Sequence, residues 1–362
     1  MMNDGPMKRA PTFSRRRFIA ALPALAAARS LLAADGATQS RIGICTFSCH
    51  QHWKAVGAKH DGVKFTDALG FARYARELGA EGVQTALRTE ASSVARKMRA
   101  FTEQTGGYYE GELRMPKTAD ELPSFETGVR LAREAGATVA RAVFTGGRRY
   151  EAFRTLGDFR LFHAAAEKAL GLIEPVLRRH ELKVAIENHK DLTGEELAAL
   201  MRKISSPWIG VLVDTGNNIA LLEEPHTAVE MLAPFALSVH LKDMAVQPSD
   251  EGFLVSEVPL GTGMLDLPRM ISTLRRANPA IVFNLEMATR DPLKVPCLTD
   301  GYWTTFPERK ATHLDAALAR VKANPPSQPV PQTAGKTPPQ VLAEEETNNQ
   351  DCLRWMRRHF RA

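Results

Sequence analysis

The chain has 362 residues, of which 44% are hydrophobic and 24% charged, the proportions of an ordinary globular protein rather than of a disordered or membrane-spanning one. Its formal net charge is +6, but residues 1–34 carry +5 of that, with Lys8, Arg9, Arg15, Arg16, Arg17 and Arg29 set against Asp4. The remainder is near neutral, so the basic net charge is no evidence for nucleic-acid binding, and no nucleic-acid partner is expected.

The first 34 residues read as an export signal. Lys8 and Arg9 precede Ser14-Arg15-Arg16-Arg17-Phe18-Ile19-Ala20, and an Ala/Leu run continues to Ala34. The paired arginines resemble a twin-arginine signal, which implies a periplasmic or extracellular protein that crosses the membrane folded, with its metal already loaded. No stable membrane span is expected in the rest. The four cysteines fit no disulfide framework: Cys45 and Cys49 fall in one predicted strand, about 13 Å apart along an extended chain and too far to bridge.

Strand 1 is expected at Arg41–Ser48, followed by a polar loop carrying His50, His52, Trp53 and His60, then a helix near 64–78 stopped by Gly79. Strand 2 is Gly82–Leu87 with a helix near 91–105, and strand 3 is near 108–115 with a helix near 119–135. Strand 4 is Thr138–Phe144, with a long helix near 158–180. Four more apolar runs follow: Val184–His189, Gly210–Asn217, Leu237–Asp243 and Ile281–Met287, separated by helices near 194–204, 225–232 and 267–277. Long loops are expected at 244–266 and 288–310. A Pro-rich linker and a charged helical tail (323–362) would pack on the main domain, or on a neighbouring subunit in a homo-oligomer.

Eight strands alternating with helices predict a parallel sheet, and the count favours an α/β fold of the closed (β/α)8 TIM-barrel type over residues 40–322. No glycine-rich phosphate fingerprint follows any strand, which argues against a dinucleotide or nucleoside triphosphate site.

Each of the last four strands ends in a metal-capable side chain: Glu187, Asp214, His240 and Glu286. They are 27, 26 and 46 residues apart; a strand plus a return helix takes about 25 to 40 residues, and the last interval also holds the long 244–266 loop. In a closed parallel barrel all the strands' C-terminal ends open on one face, so the four groups converge. Two Glu, one Asp and one His form a mainly oxygen-donor set suited to one divalent ion, Mn²⁺, Mg²⁺, Co²⁺ or Zn²⁺.

With these residues, and with Ile186-Glu187-Asn188-His189, Asp214-Thr215-Gly216-Asn217, His240-Leu241-Lys242-Asp243 and Pro259-Leu260-Gly261-Thr262-Gly263, the chain resembles the xylose-isomerase-like TIM-barrel superfamily in its sugar isomerase and epimerase branch. The resemblance implies one divalent ion, most often Mn²⁺, on Glu187, Asp214, His240 and Glu286, with Glu187 and Glu286 also the catalytic acid/base pair. Asn217 and Val246 stand where the ketose 3-epimerases of this branch carry His and Arg. Candidate substrate contacts are His189, Asn217, Lys242, Asp243 and Trp303, with His52 and Trp53 as further pocket walls.

The expected activity is metal-dependent isomerisation or epimerisation of a small-molecule sugar through an enediolate. The alternatives are a lyase or dehydratase acting on keto-sugars or 3-keto-glycosides by β-elimination, and a non-catalytic sugar- or metal-binding barrel.

Overall fold

The computed structural model describes Met1, residues 40–87 and residues 92–360. The segment read as an export signal lies outside these residues apart from Met1. Eight parallel strands close into a barrel: β1 (Ile42–Cys45), β2 (Gly82–Thr85), β3 (Tyr108–Arg114), β4 (Val139–Val143), β5 (Lys183–Glu187), β6 (Ile209–Asp214), β7 (Ala236–Leu241) and, after two strands of another sheet, β10 (Phe283–Leu285). Round the barrel the order is β1-β10-β7-β6-β5-β4-β3-β2. This is the (β/α)8 architecture expected from the alternation of apolar runs with helical periods.

The helices between the strands begin where the sequence supplies caps. Asp67 accepts the Gly70 N–H ahead of α2 (Ala68–Glu77). Thr155–Asp158 and Thr193–Glu196 form reciprocal capping boxes ahead of α5 (Leu156–His180) and α6 (Gly194–Ile204). The remaining helices of the wall are α3 (Ser92–Thr105), α4 (Leu122–Glu134), α7 (Pro225–Leu232) and α8 (Leu267–Ala277).

Inside the barrel the lower layer is closed by Tyr108, whose ring lies where any side chain at Gly43 or Gly82 would stand. Its hydroxyl donates to Asn284 Oδ1 at 2.9 Å. Above it Glu110 Oε2 accepts from Gln84, Ser238 and Asn284 at 2.7–2.8 Å. Because side chains alternate along a strand, Ser238 and His240 share the inward face of β7, and Asn284 and Glu286 that of β10. The polar layer is therefore the floor on which the metal-capable residues stand.

The two long loops are more ordered than the sequence suggested. Residues 243–258 form a hairpin of β8 (Asp243–Ser249) and β9 (Gly252–Val258), and β11 (Leu293–Val295) adds to its edge as a third antiparallel strand. A second apolar cluster, including Phe253, Val255, Tyr302, Trp303 and Phe306, packs beneath this sheet. The helix Lys310–Ala323 (α9) contributes Ala317 and Val321 to the same cluster.

The region expected as a polar loop after β1 is instead the helix α1 (His50–Gly57), and the reason is long-range. Its N-cap, Cys49, makes no side-chain cap bond. The first-turn N–H groups of Gln51 and His52 instead donate to Glu345 in the tail helix α10 (Pro338–Phe360), at 2.7 and 3.1 Å. His52 Nδ1 donates to the same carboxylate at 2.7 Å. His52 and Trp53, expected as pocket walls, pack in this wall against Phe65.

The tail helix thus lies against the barrel, with Cys352, Leu353, Met356 and Phe360 in the main core and Phe360 edge-on to Phe283 at 4.9 Å. All four cysteines are free and buried. Glu345 is fully buried, so Glu345→Ala would strand two backbone donors and a histidine and is expected to lower stability by about 3 to 5 kcal/mol. Glu345→Gln, which keeps an acceptor, should cost less. Urea melts of the two variants check this, and equal stability of Glu345→Ala and the parent would remove the proposed role of the cap.

Candidate metal centre and active site

Glu187, Asp214, His240 and Glu286 stand at the C-terminal ends of β5, β6, β7 and β10, and one ligand atom from each lies within 4.8 Å of the others. His240 Nδ1 is 2.9 Å from Glu286 Oε2, 3.7 Å from Glu187 Oε2 and 4.0 Å from Asp214 Oδ2. All four residues are buried.

The orientation of His240 is set from below. Glu110 accepts from the Gln84 amide nitrogen, so the amide oxygen of Gln84 faces the imidazole and accepts from His240 Nε2 at 2.6 Å. With the proton on Nε2, the lone pair of Nδ1 points into the carboxylate cluster. His240 Nδ1, Asp214 Oδ2 and Glu286 Oε2 are buried and make no well-aligned hydrogen bond. These three atoms converge on one point, with the Lys242 ammonium beside the two carboxylate oxygens, and the donor set is one that fits a divalent cation with oxygen and imidazole ligands.

The electrostatics carry the same signature. Burial raises the Asp214 carboxyl to a pKa of about 7, and the neighbouring Glu286 and Glu187 overcome the opposing pull of Lys242. Burial also acts to raise Glu187, but Arg141 and His240 bring it down to about 2. Burial would lower His240, yet Glu286 and Glu187 raise it well above the ordinary imidazole value, so that without a cation Nδ1 carries a proton toward Glu286, and a bound cation would take the place of that proton. A compact set of carboxylates out of water demands positive charge.

Of the expected substrate contacts, three border this cluster. Asn217 donates to Glu187 Oε1 at 2.9 Å and accepts from Lys190 and Lys242. Lys242 Nζ is 2.8 Å from Asp214 Oδ2 and 3.0 Å from Glu286 Oε2. His189 follows Glu187 by two residues and has a buried, unpartnered Nδ1; burial and the adjacent Lys190 lower its pKa to about 3, so it is neutral.

The other two are engaged elsewhere. Asp243 accepts the backbone N–H groups of Met244, Gly261, Gly263 and Leu265 at 2.9–3.1 Å and clamps the loop after the hairpin. A side chain at Gly263 would run into the Asp243 carboxylate, which explains the glycine there. Trp303 lies in the second apolar cluster and donates its ring N–H to Cys297 O at 2.8 Å.

Several residues around the site were not singled out from sequence. Arg141 pairs with Glu187 at 2.6 Å, Arg290 with Glu257 at 2.5 Å, and Lys190 reaches Asn217. Arg141 did leave a signal: it is a lone charged residue inside the otherwise apolar run Val139–Val143, where it must face a polar interior or be excluded. Lys190 and Arg290 lie on loops and Glu257 on strand β9 of the hairpin, and no local pattern separates them from solvated charges.

With the geometry established, comparison with known proteins is informative. Residues 72–311 match the model of the family described as xylose isomerase-like TIM barrel. A 3-oxo-isoapionate decarboxylase of Pectobacterium atrosepticum is 31% identical over 127 residues, covering 34% of this chain and 46% of that protein, so under half of the relative's length is matched. The chain is similar in fold to a D-psicose 3-epimerase (TM-score 0.56, 12% identity, 89% of this chain and 100% of that one). It is likewise similar to an L-ribulose 3-epimerase (TM-score 0.54, 13% identity, 89% and 95%). At these identities the structural likeness speaks for the fold alone. The barrel, the ligand set at its strand ends and the extent of the family match agree, and the chain belongs to the xylose isomerase-like TIM barrel family.

Proposed function

We propose that this protein is a metal-dependent enzyme that abstracts a proton beside the carbonyl of a sugar or sugar derivative, and so isomerises or epimerises it. The observation that carries the reading is the convergence of Glu187, Asp214, His240 and Glu286, in which two carboxylates sit in the same cluster that can hold a cation. Mn²⁺ is the proposed ion. When bound, it supplies positive charge against the oxygens of an enediolate, which lowers the cost of removing the neighbouring proton.

The chain's own residues do the rest. Glu286 and Glu187 carry the proton to and from carbon, one from each side in an epimerase. Gln84 holds His240 in the tautomer that leaves Nδ1 free. Arg141 and Asn217 fix the two oxygens of Glu187. The N-terminal segment would place the enzyme outside the cytoplasm.

A second reading, cleavage of a bond one carbon from the carbonyl, is favoured by the partial match to a decarboxylase of a 3-oxo acid. Elimination begins with the same proton removal, and the electron pair left on carbon then expels the group one carbon further on by breaking its C–O bond; decarboxylation of a 3-oxo acid instead breaks the C–C bond to the carboxylate, releases CO₂ and leaves an enolate that is protonated at carbon.

Proton NMR in D₂O of the Mg²⁺-loaded protein, with a panel of ketoses, aldoses, 3-keto-glycosides and 3-oxo sugar acids, separates these readings. Solvent deuterium appearing at a carbon beside the carbonyl, with the skeleton intact, supports the isomerase or epimerase. Release of an aglycone or of CO₂ supports cleavage. Absence of both from every compound would count against catalysis on these substrates and for a binding barrel.

A further inference from the structure

Four cationic side chains surround the ligand set, and three of them have carboxylate partners: Arg141 on Glu187 at 2.6 Å, Lys242 on Asp214 at 2.8 Å and Arg290 on Glu257 at 2.5 Å. The fourth, Lys190, is only 5% exposed. Among the described residues no carboxylate oxygen lies within 4.0 Å of its Nζ. Its hydrogen bond goes to Asn217 Oδ1 at 2.5 Å, a neutral oxygen that Lys242 Nζ also approaches, at 3.3 Å.

Two ammonium groups therefore crowd one amide. Burial lowers the Lys190 pKa to about 8, the charges of Lys242 and Arg290 act in the same direction, and the more distant carboxylates Glu257 and Asp214 offset this only in part. A desolvated ammonium beside other cations is unfavourable until an anion joins it. Asn217, the bridging residue, also donates to Glu187, so this unpaired charge stands one side chain away from the candidate metal ligands.

We propose that Lys190, flanked by Lys242 and Arg290, forms an anion subsite that takes the carboxylate of a sugar acid, so that the substrate is an acidic keto-sugar rather than a neutral ketose. The inference rests on the proposed function for the position of the reacting carbon, and deepens it by naming the substrate class. A carboxylate brings one negative charge to one unpaired ammonium, whereas a phosphate brings nearly two. The carboxylate would also complete for Lys190 the pairing that the other three cations already have.

The test is calorimetric titration of the full chain with D-gluconate, with D-glucitol as the neutral polyol of equal length, and with D-glucose 6-phosphate. It is run both with Mn²⁺ and after removal of metal. Gluconate is expected to bind at least about tenfold more tightly than glucitol in both states. Lys190→Met should weaken gluconate about 10- to 100-fold, leave Mn²⁺ affinity unchanged, and leave the melting temperature unchanged or higher, since an apolar chain of similar length replaces an unpaired buried cation.

Equal binding of gluconate and glucitol, or of neither, overturns the proposal, as does an unchanged gluconate affinity in Lys190→Met. Tighter binding of glucose 6-phosphate than of gluconate overturns the carboxylate assignment in favour of a phosphate. If Lys190→Met does not fold, Lys190→Gln decides: gluconate affinity equal to that of the parent would make Lys190 a structural tie to Asn217. Failure of the parent protein to bind Mn²⁺ would sink the proposed function alone, because the preference for the acid is also read without metal.

Discussion

Replacing Glu286 by Gln is expected to lower turnover of the true substrate by about 10² to 10⁴-fold, the range that general acid–base catalysis contributes. The carboxamide has nearly the same shape, so the barrel and its polar floor should persist, but it cannot accept the substrate proton. Glu286 also touches His240 at 2.9 Å and Lys242 at 3.0 Å, so part of any loss could come from weaker metal binding. Measuring turnover at saturating Mn²⁺, with occupancy followed by electron paramagnetic resonance, separates the two contributions. In a two-base epimerase, Glu286→Gln and Glu187→Gln should each retain exchange at the face of the carbon served by the other carboxylate. Undiminished turnover of Glu286→Gln with metal bound would remove the acid/base assignment.

Removal of the metal is the second large effect. The three carboxylates of the cluster lie within a few ångströms of one another in a buried site, and Asp214 is held near pKa 7 by burial and by Glu286 and Glu187. A divalent cation turns that repulsion into attraction. Dialysis against a chelator is therefore expected to abolish turnover, and added Mn²⁺ to restore it. At a free ion concentration 100 times its dissociation constant, stability should rise by about 2.7 kcal/mol, read from urea melts. Gln84→Leu, which removes the acceptor that fixes the His240 tautomer, should weaken Mn²⁺ binding about 10- to 100-fold. Full activity in protein shown to be metal-free would defeat the whole scheme.

The parts of the site that were legible in the sequence share one property: each is tied to a local period. Glu187, Asp214, His240 and Glu286 each close an apolar run of strand length, and the runs recur at βα spacing, so convergence follows from the fold class. Strand 3, expected near 108–115, carries Glu110, Glu112 and Arg114 and so shows the faintest apolar pattern of the eight; the structure places it at Tyr108–Arg114. The helix at His50–Gly57 was not legible in the sequence, because the groups that satisfy its first turn belong to Glu345, nearly 300 residues away in sequence. Asp243 looked like a substrate contact because it follows the ligand His240 closely. The structure shows it serving the Gly261–Leu265 loop, a role visible only once the hairpin brings that loop back.

The same division holds for the chemistry. The sequence by itself determined the barrel, the metal-capable residue types at its strand ends and their common face, since strand length, alternation and spacing are local quantities written along the chain. Only the tertiary structure decided how charge is distributed around those ligands: Gln84 and Glu110 beneath His240, Arg141 on Glu187, Arg290 on Glu257, and Lys190 left without a counterion. Those partners come from different strands and loops. Coulomb energy and desolvation depend on distance and burial in space, and neither has a period in the sequence.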